Sequence, residues 1–174
     1  MRLKGGVVLL MAGLAITQTK GDDISGTLTV AAVISDGCQV DNVNVGGGSN
    51  DYGLLDFGTL SSLASFNDAI GGGSGGVGFQ ITCTNGLSYS IGLNTGLNDS
   101  AGQRRMSNGS DFIVYDLYRD ASRSQPWGAV GSGNELTSTG TGVQQAHIVF
   151  GRIPPSATPP SGNYSDTVQV TISW

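Results

Sequence analysis

The last eleven residues, Tyr164 to Trp174, do most to limit what this chain can become. Tyr164, Val168, Val170, Ile172 and Trp174 fall on one face at a period of two, interrupted only by Asp166; Thr167, Gln169, Thr171 and Ser173 fill the other. Successive strand side chains point to opposite faces, so the pattern predicts a long half-buried β-strand on which the chain ends. A second row, Ile24, Gly26, Leu28, Val30, Ala32 and Ile34, alternates near the front, with Thr27 and Thr29 on its other face. Periodicity leaves two outcomes open for it. It is an ordinary first strand pairing within its own domain, or an extended arm that adds to the sheet of another subunit. With no residues left after the last core strand, the domain is expected not to complete its own sheet, and the arm to complete a neighbour's.

Strand signals also fill the middle of the chain. Val77, Phe79, Ile81 and Cys83 alternate, Thr84-Asn85-Gly86 follows, and Leu87, Tyr89, Ile91 and Leu93 alternate again, which predicts a hairpin. After a polar loop from Asn94 to Ser110, Phe112 to Tyr118 is apolar on both faces, as a central strand would be. Gln144 to Phe150 reads as another strand, and Leu54–Phe57 and Val40–Val45 as weaker ones. Pro154-Pro155 and Pro159-Pro160 forbid regular structure before the last strand. About seven or eight strands between turn signals argue for an all-β, immunoglobulin-like sandwich. The clusters Gly46–Gly48 and Gly71–Gly76 read as loops.

Met1-Arg-Leu-Lys4 followed by an apolar run from Gly5 to Ile16, too short to span a bilayer comfortably, reads as a signal peptide, with a single uncleaved anchor as the alternative. We place the signal at residues 1–20, with cleavage between 17 and 23, an arm at 21–33 and one domain at 34–174. Removing residues 1–20 leaves five Arg, no Lys and 13 acids, a net charge of 5 − 13 = −8. Such a surface argues against nucleic acid or an anionic membrane as partner. In an exported chain the two cysteines, Cys38 and Cys83, read as one disulfide. Closing a loop of roughly 46 residues contributes ~4 kcal/mol in the chain-entropy model.

Catalytic chemistry is hard to assemble. His147, the single histidine, sits in a predicted strand without a Gly-x-Ser-x-Gly nucleophile elbow. Asp111, Asp116 and Asp120 are close in sequence, but Asp111 reads as a strand cap and Asp120 as the start of a turn. Arg104-Arg105 reads as solvated or paired with Asp99 or Asp111 rather than as an anion site. No enzyme, metal site or cofactor is expected.

Several blocks carry a resemblance: Gly37-Cys38-Gln-Val40, Tyr52 to Gly58, Ile81-Thr-Cys83, Arg104-Arg-Met106, Val114 to Ala121 with Trp127-Gly128, Val149-Phe-Gly151, and Gly162 to Val168 running on to Trp174. Together these resemble the spore coat U domain, the fold of subunits in archaic, Csu-type chaperone–usher pili. The resemblance implies an immunoglobulin-like sandwich lacking its last strand and completed by a donor strand. A periplasmic chaperone would lend that strand first, and at the outer-membrane usher the arm of the next subunit would displace it. The implied donor arm is Ile24, Gly26, Leu28, Val30 and Ala32; the implied acceptor groove is Val33, Val168, Val170 and Ile172; Cys38 and Cys83 would form the family's disulfide. The expected product is a surface pilus of identical or related subunits, serving adhesion and biofilm formation. The alternatives are a self-contained secreted sandwich that binds carbohydrate, with Trp127 as its exposed aromatic, or a spore or cell-coat component.

Overall fold

A computed structural model describes residues 24–40, 52–71 and 78–174. The signal segment, arm residues 21–23, the strand candidate beyond Val40, the glycine clusters at 46–48 and 72–76, and Val77 lie outside the described residues. The chain divides into two units, 1–33 and 34–174. In the first, residues 24–33 form neither strand nor helix and all are exposed.

The second unit is all-β. Its strands are β1 (Cys38–Val40), β2 (Asn67–Gly71), β3 (Phe79–Cys83), β4 (Ser88–Leu93), β5 (Arg105–Ser107), β6 (Phe112–Val114), β7 (Asp116–Tyr118), β8 (Leu136–Thr139), β9 (Gln145–His147), β10 (Val149–Ile153) and β11 (Val170–Ser173). Among the described residues they form sheets ordered β1-β3-β9, β2-β10-β7 and β11-β4-β8, with β5-β6 as a separate pair. Every pairing is antiparallel. The architecture is an immunoglobulin-like sandwich.

The period of two explains the core. Phe79, Ile81 and Cys83 of β3 and Tyr89, Ile91 and Leu93 of β4 all point inward and are buried. Leu117 of β7 and Val149 and Ile153 of β10 join them around Trp127. Trp127 is wholly buried, packs edge-to-face on Phe79 at 5.9 Å, and donates its indole N–H to the Ile91 carbonyl at 2.8 Å. It is therefore a core residue, and the expectation that it offers an exposed aromatic to a ligand is overturned.

The hairpin expectation also fails. β3 and β4 leave the turn into different sheets. Thr84 O accepts from Leu87 N at 3.0 Å, and Gly86 has φ of +86°. Ala101 and Arg123 are the non-glycine residues with positive φ among those described, so Asn85 keeps a negative φ. A tight hairpin turn of type I′ needs positive φ at both central residues, and a turn with only the second positive splays its strands apart. The turn is an arch between sheets, its two buried faces turned toward each other.

Other expectations change for similar reasons. The single strand foreseen over Phe112–Tyr118 is broken at Tyr115, so that β6 pairs with β5 and β7 with β10. Gln144 to Phe150 splits at Ile148 into β9, on β3, and β10, between β2 and β7. Leu54–Phe57 is not a strand. Leu55 instead lies across β2 and β10, where a Cβ at Gly71 or Gly151 would come within 2.6 or 2.8 Å of it. That segment covers a sheet face, so it cannot also pair along an edge.

Cys38 and Cys83 face each other across the β1–β3 pair and form a disulfide, with Cα atoms 4.0 Å apart. β1 has three described residues and, among the described strands, pairs with β3 alone, so the disulfide ties the start of the domain to a core strand. Cys38→Ser is expected to lower unfolding free energy by about 2–4 kcal/mol. Urea unfolding with and without reductant checks this: the variant should match the reduced wild-type protein and lose nothing further on reduction.

Candidate functional site

β11 is the outermost strand of its sheet. One edge pairs with β4, Val170 opposite Leu93 and Ile172 opposite Ile91. Its other edge has no strand partner among the described residues. Val168, Val170 and Ile172 are half-buried and pack against the core, while Thr167, Gln169 and Thr171 are exposed. The alternation read from the sequence is present from Tyr164 onward, although the strand itself covers only Val170–Ser173. Trp174 lies beyond the strand and is 59% exposed, so it does not share the buried face as expected.

The strand is shortened because residues 165–169 pair piecemeal, with the last residue of β5 and with the irregular backbone at Asn94 and Leu97. Ser165 exchanges two hydrogen bonds with Ser107, Thr167 O accepts from Leu97 N at 3.1 Å, and Gln169 O accepts from Asn94 N at 3.0 Å. Gln169 N in turn donates to the Asn94 side chain at 2.8 Å. The interruption in the apolar row, Asp166, anchors this segment. Its carboxylate accepts from Leu97 N at 3.0 Å, Asn98 N at 3.1 Å, the Asn98 side-chain amide at 3.1 Å and the Tyr115 hydroxyl at 2.7 Å. A Cβ at Gly96 would run into that carboxylate, so only glycine lets the loop close on it. Burial, then the bond to Asp166, push the Tyr115 hydroxyl well above its ordinary value, and it remains a donor. One edge of the last segment is thus held by hydrogen bonds, and along β11 the other has no strand partner among the described residues.

The neighbouring loop is fixed by Arg104, which is 9% exposed. Its guanidinium donates to the carbonyls of Asn94, Leu93 and Trp127, each at 2.8 Å. Arg105 donates to Asn98 O at 3.0 Å and lies 4.1 Å over the Phe112 ring. The two arginines therefore serve backbone carbonyls and an aromatic face, and their expected solvation or pairing with Asp99 or Asp111 carboxylates is not what forms. Asp120 accepts from the backbone N–H groups of Ser124 and Gln125 and from the hydroxyls of Ser122 and Ser124, closing a turn. Asp116 accepts from the Gln103 side chain at 3.1 Å, and the Asp111 N–H donates to Asn108. The three aspartates thus have separate partners.

In the arm, Ile24, Leu28 and Val30 are 99%, 87% and 85% exposed, and Gly26 and Ala32 are exposed with them. Val33 lies in the same strandless stretch at 93% exposure. Aliphatic residues usually stand inside, so an alternating row left in water departs from the ordinary pattern.

His147 stands opposite Phe79, and its Nε2 lies 2.6 Å from the Tyr89 hydroxyl. Burial pushes the imidazole below its ordinary value. A histidine held neutral in the fold takes up its proton more readily when unfolded. Its contribution is present above the unfolded value, near 6.5, and is lost as pH falls below it. The melting temperature is expected to decline between about pH 7 and 5, where ordinary carboxylates are still ionised. A thermal scan of His147→Gln should flatten that decline.

Three comparisons bear on this geometry. The Spore Coat Protein U domain profile matches residues 24–171. Protein U of Myxococcus xanthus is 32% identical over 169 residues, covering 92% of this chain and 90% of that protein. Among solved structures, a chain of the CsuC-CsuE chaperone-tip adhesion subunit pre-assembly complex, from the archaic chaperone-usher Csu pili of Acinetobacter baumannii, matches with a TM-score of 0.51 and 25% identity. That match covers 81% of this chain and 40% of the other, so the chain spans less than half the length of that solved relative.

Proposed function

This chain belongs to the Spore Coat Protein U domain family, and from that premise we propose that it is a structural subunit of a chaperone–usher surface pilus, polymerised by donor-strand exchange. One observation carries the reading: the alternating apolar face of Val168, Val170 and Ile172 lies on a segment whose strand has one edge without a strand partner among the described residues, and the same chain exposes a matching alternating row at Ile24, Leu28 and Val30. An arm from a neighbouring subunit would add along that edge. Main-chain hydrogen bonds would supply affinity, and the alternate side chains register. Ile24, Leu28 and Val30 would be the main plugs, with Gly26 and Ala32 at shallow positions and Val33 near the mouth of the groove. Burying the three large side chains contributes roughly 5–9 kcal/mol gross, at about 1.5–3 each, and ordering the free arm offsets part of this.

In this reading residues 1–20 are a signal removed on export, 21–33 the donor arm and 34–174 the accepting domain. The solved relative is a chaperone–subunit complex, which supports a periplasmic chaperone as the first partner here. An outer-membrane usher and attachment to surfaces in biofilms complete the proposal. Its test is an unheated denaturing gel of the exported protein with and without residues 22–32. The expected result is a ladder of multimers that collapses on heating and is absent from the deletion. Folded monomer in both lanes would mean that the arm pairs within its own domain.

A further inference from the structure

The outer face of the β11-β4-β8 sheet carries a feature that assembly through an arm does not use. Where Tyr89 and Ile91 turn inward, Ser88 and Ser90 turn outward. Register sets Ser173 beside Ser90, Ser90 beside Thr137, and Ser88 beside Thr139. Five hydroxyls therefore form a grid across three strands, spaced by about 4.8 Å from strand to strand. They line an open depression of 460 Å³ with Trp174, 59% exposed, at its rim. The volume falls within the ordinary small-ligand range of about 300–1,000 Å³. None of the five hydroxyls bonds to another described side chain or backbone group, so all are free to exchange bonds with a ligand.

We infer that this face is a docking surface for a neutral saccharide. No side chain of the lining is charged, although the chain is acidic and the outer face of the β2-β10-β7 sheet carries Asp68, Asp116 and Arg152. An anionic ligand would find no cationic side chain here. An apolar peptide or an acyl chain would strip the hydroxyls of water and return no hydrogen bonds. A sugar ring matches both parts of the lining: its C–H face stacks on the indole, and its hydroxyls both donate to and accept from Ser and Thr. The depression lies on the outer face of the sheet, so this inference does not depend on the arm reading.

Trp127 is wholly buried, so quencher-accessible fluorescence reports Trp174. The full exported chain is titrated with cellohexaose, laminarihexaose, maltohexaose and, as polyanion, dextran sulfate, by acrylamide quenching and calorimetry. The expected result is saturable protection of Trp174 and heat with at least one neutral hexaose, with Kd on the order of 0.1–1 mM, and nothing with dextran sulfate. Calorimetry of Trp174→Ala, and of Thr137→Lys with the indole intact, should show binding weakened by at least about tenfold, which at ~1.4 kcal/mol per decade is a readable loss. Both side chains point to solvent, and near-UV circular dichroism verifies the folds. No response to any of the three hexaoses up to about 10 mM, undiminished binding in both variants, or equal binding of dextran sulfate overturns the inference.

Discussion

Leu28→Asp combined with Val30→Asp is expected to remove the multimer ladder completely while leaving the monomer's own stability unchanged. In the free chain both residues are exposed, so the substitution disturbs no packed contact. In a donated strand both would be buried against the face carrying Val168, Val170 and Ile172. Losing two large apolar side chains removes roughly 3–6 kcal/mol of burial. Two carboxylates placed in the groove without partners add a desolvation penalty of similar or larger size. Burial alone predicts about a 10²–10⁴-fold loss of coupling, and the carboxylates make it larger. A control separates the side chains from the backbone: Thr27→Asp with Thr29→Asp puts the same charges on the opposite face, which a donated strand turns to solvent. That pair should keep its ladder. A ladder that survives the first pair, or fails equally with both, would overturn donor exchange in this register.

The same alternation shows where sequence reasoning reached and where it stopped. A period of two tells which face of a segment is buried, and it did so for β3, β4 and the last strand: Phe79, Ile81, Tyr89, Ile91, Val170 and Ile172 all face the core. It carries no information about which sheet receives a strand. Thr84-Asn85-Gly86 therefore suggested a hairpin, where the backbone at Asn85 builds an arch. Tyr115 and Ile148 likewise continue an apolar run in sequence, yet each marks a change of sheet. β2, β5 and β8 contain Asn67, Asp68, Arg105 and Thr137 and lack an apolar run, so pairing with stronger strands decides them.

The site was partly legible. Asp166 stood out in the sequence only as the break in an apolar row; its role as an acceptor was hidden because its donors at Leu97, Asn98 and Tyr115 lie 51 to 69 residues away. Cys38 and Cys83 were legible because two cysteines in an exported chain leave one pairing. The hydroxyl grid was not, since it needs the registers of three strands that are distant in sequence.

Arg104→Ala is expected to destabilise the domain more than any other single change discussed. The guanidinium is buried, and no carboxylate lies within ion-pair distance among the described residues. Burial pushes it below its ordinary value, and the Tyr115, Asp116 and Asp166 side chains act in the opposite direction. An arginine stays charged even so. It persists there because it satisfies three carbonyls at once, and those carbonyls belong to the end of β4, the loop before Gly96 and the Trp127 segment. Alanine would leave those acceptors unpaired at about 1–3 kcal/mol for each that water cannot reach. The expected cost is about 3–5 kcal/mol, which for a chain of this size lowers the melting temperature by roughly 6–20 °C. Arg104→Lys discriminates between charge and shape. If the fork is what matters, a single ammonium cannot reach three carbonyls in different directions, and the lysine variant should recover less than half of the loss. Recovery close to wild type would mean that a buried positive charge in the field of Asp116 and Asp166 is sufficient. Because the same loop holds Asp166 and Gln169, the alanine variant should also loosen the segment before β11. Hydrogen exchange at Leu97, Asn98 and Gln169 should then rise earlier than exchange at Ile81, in the core of β3.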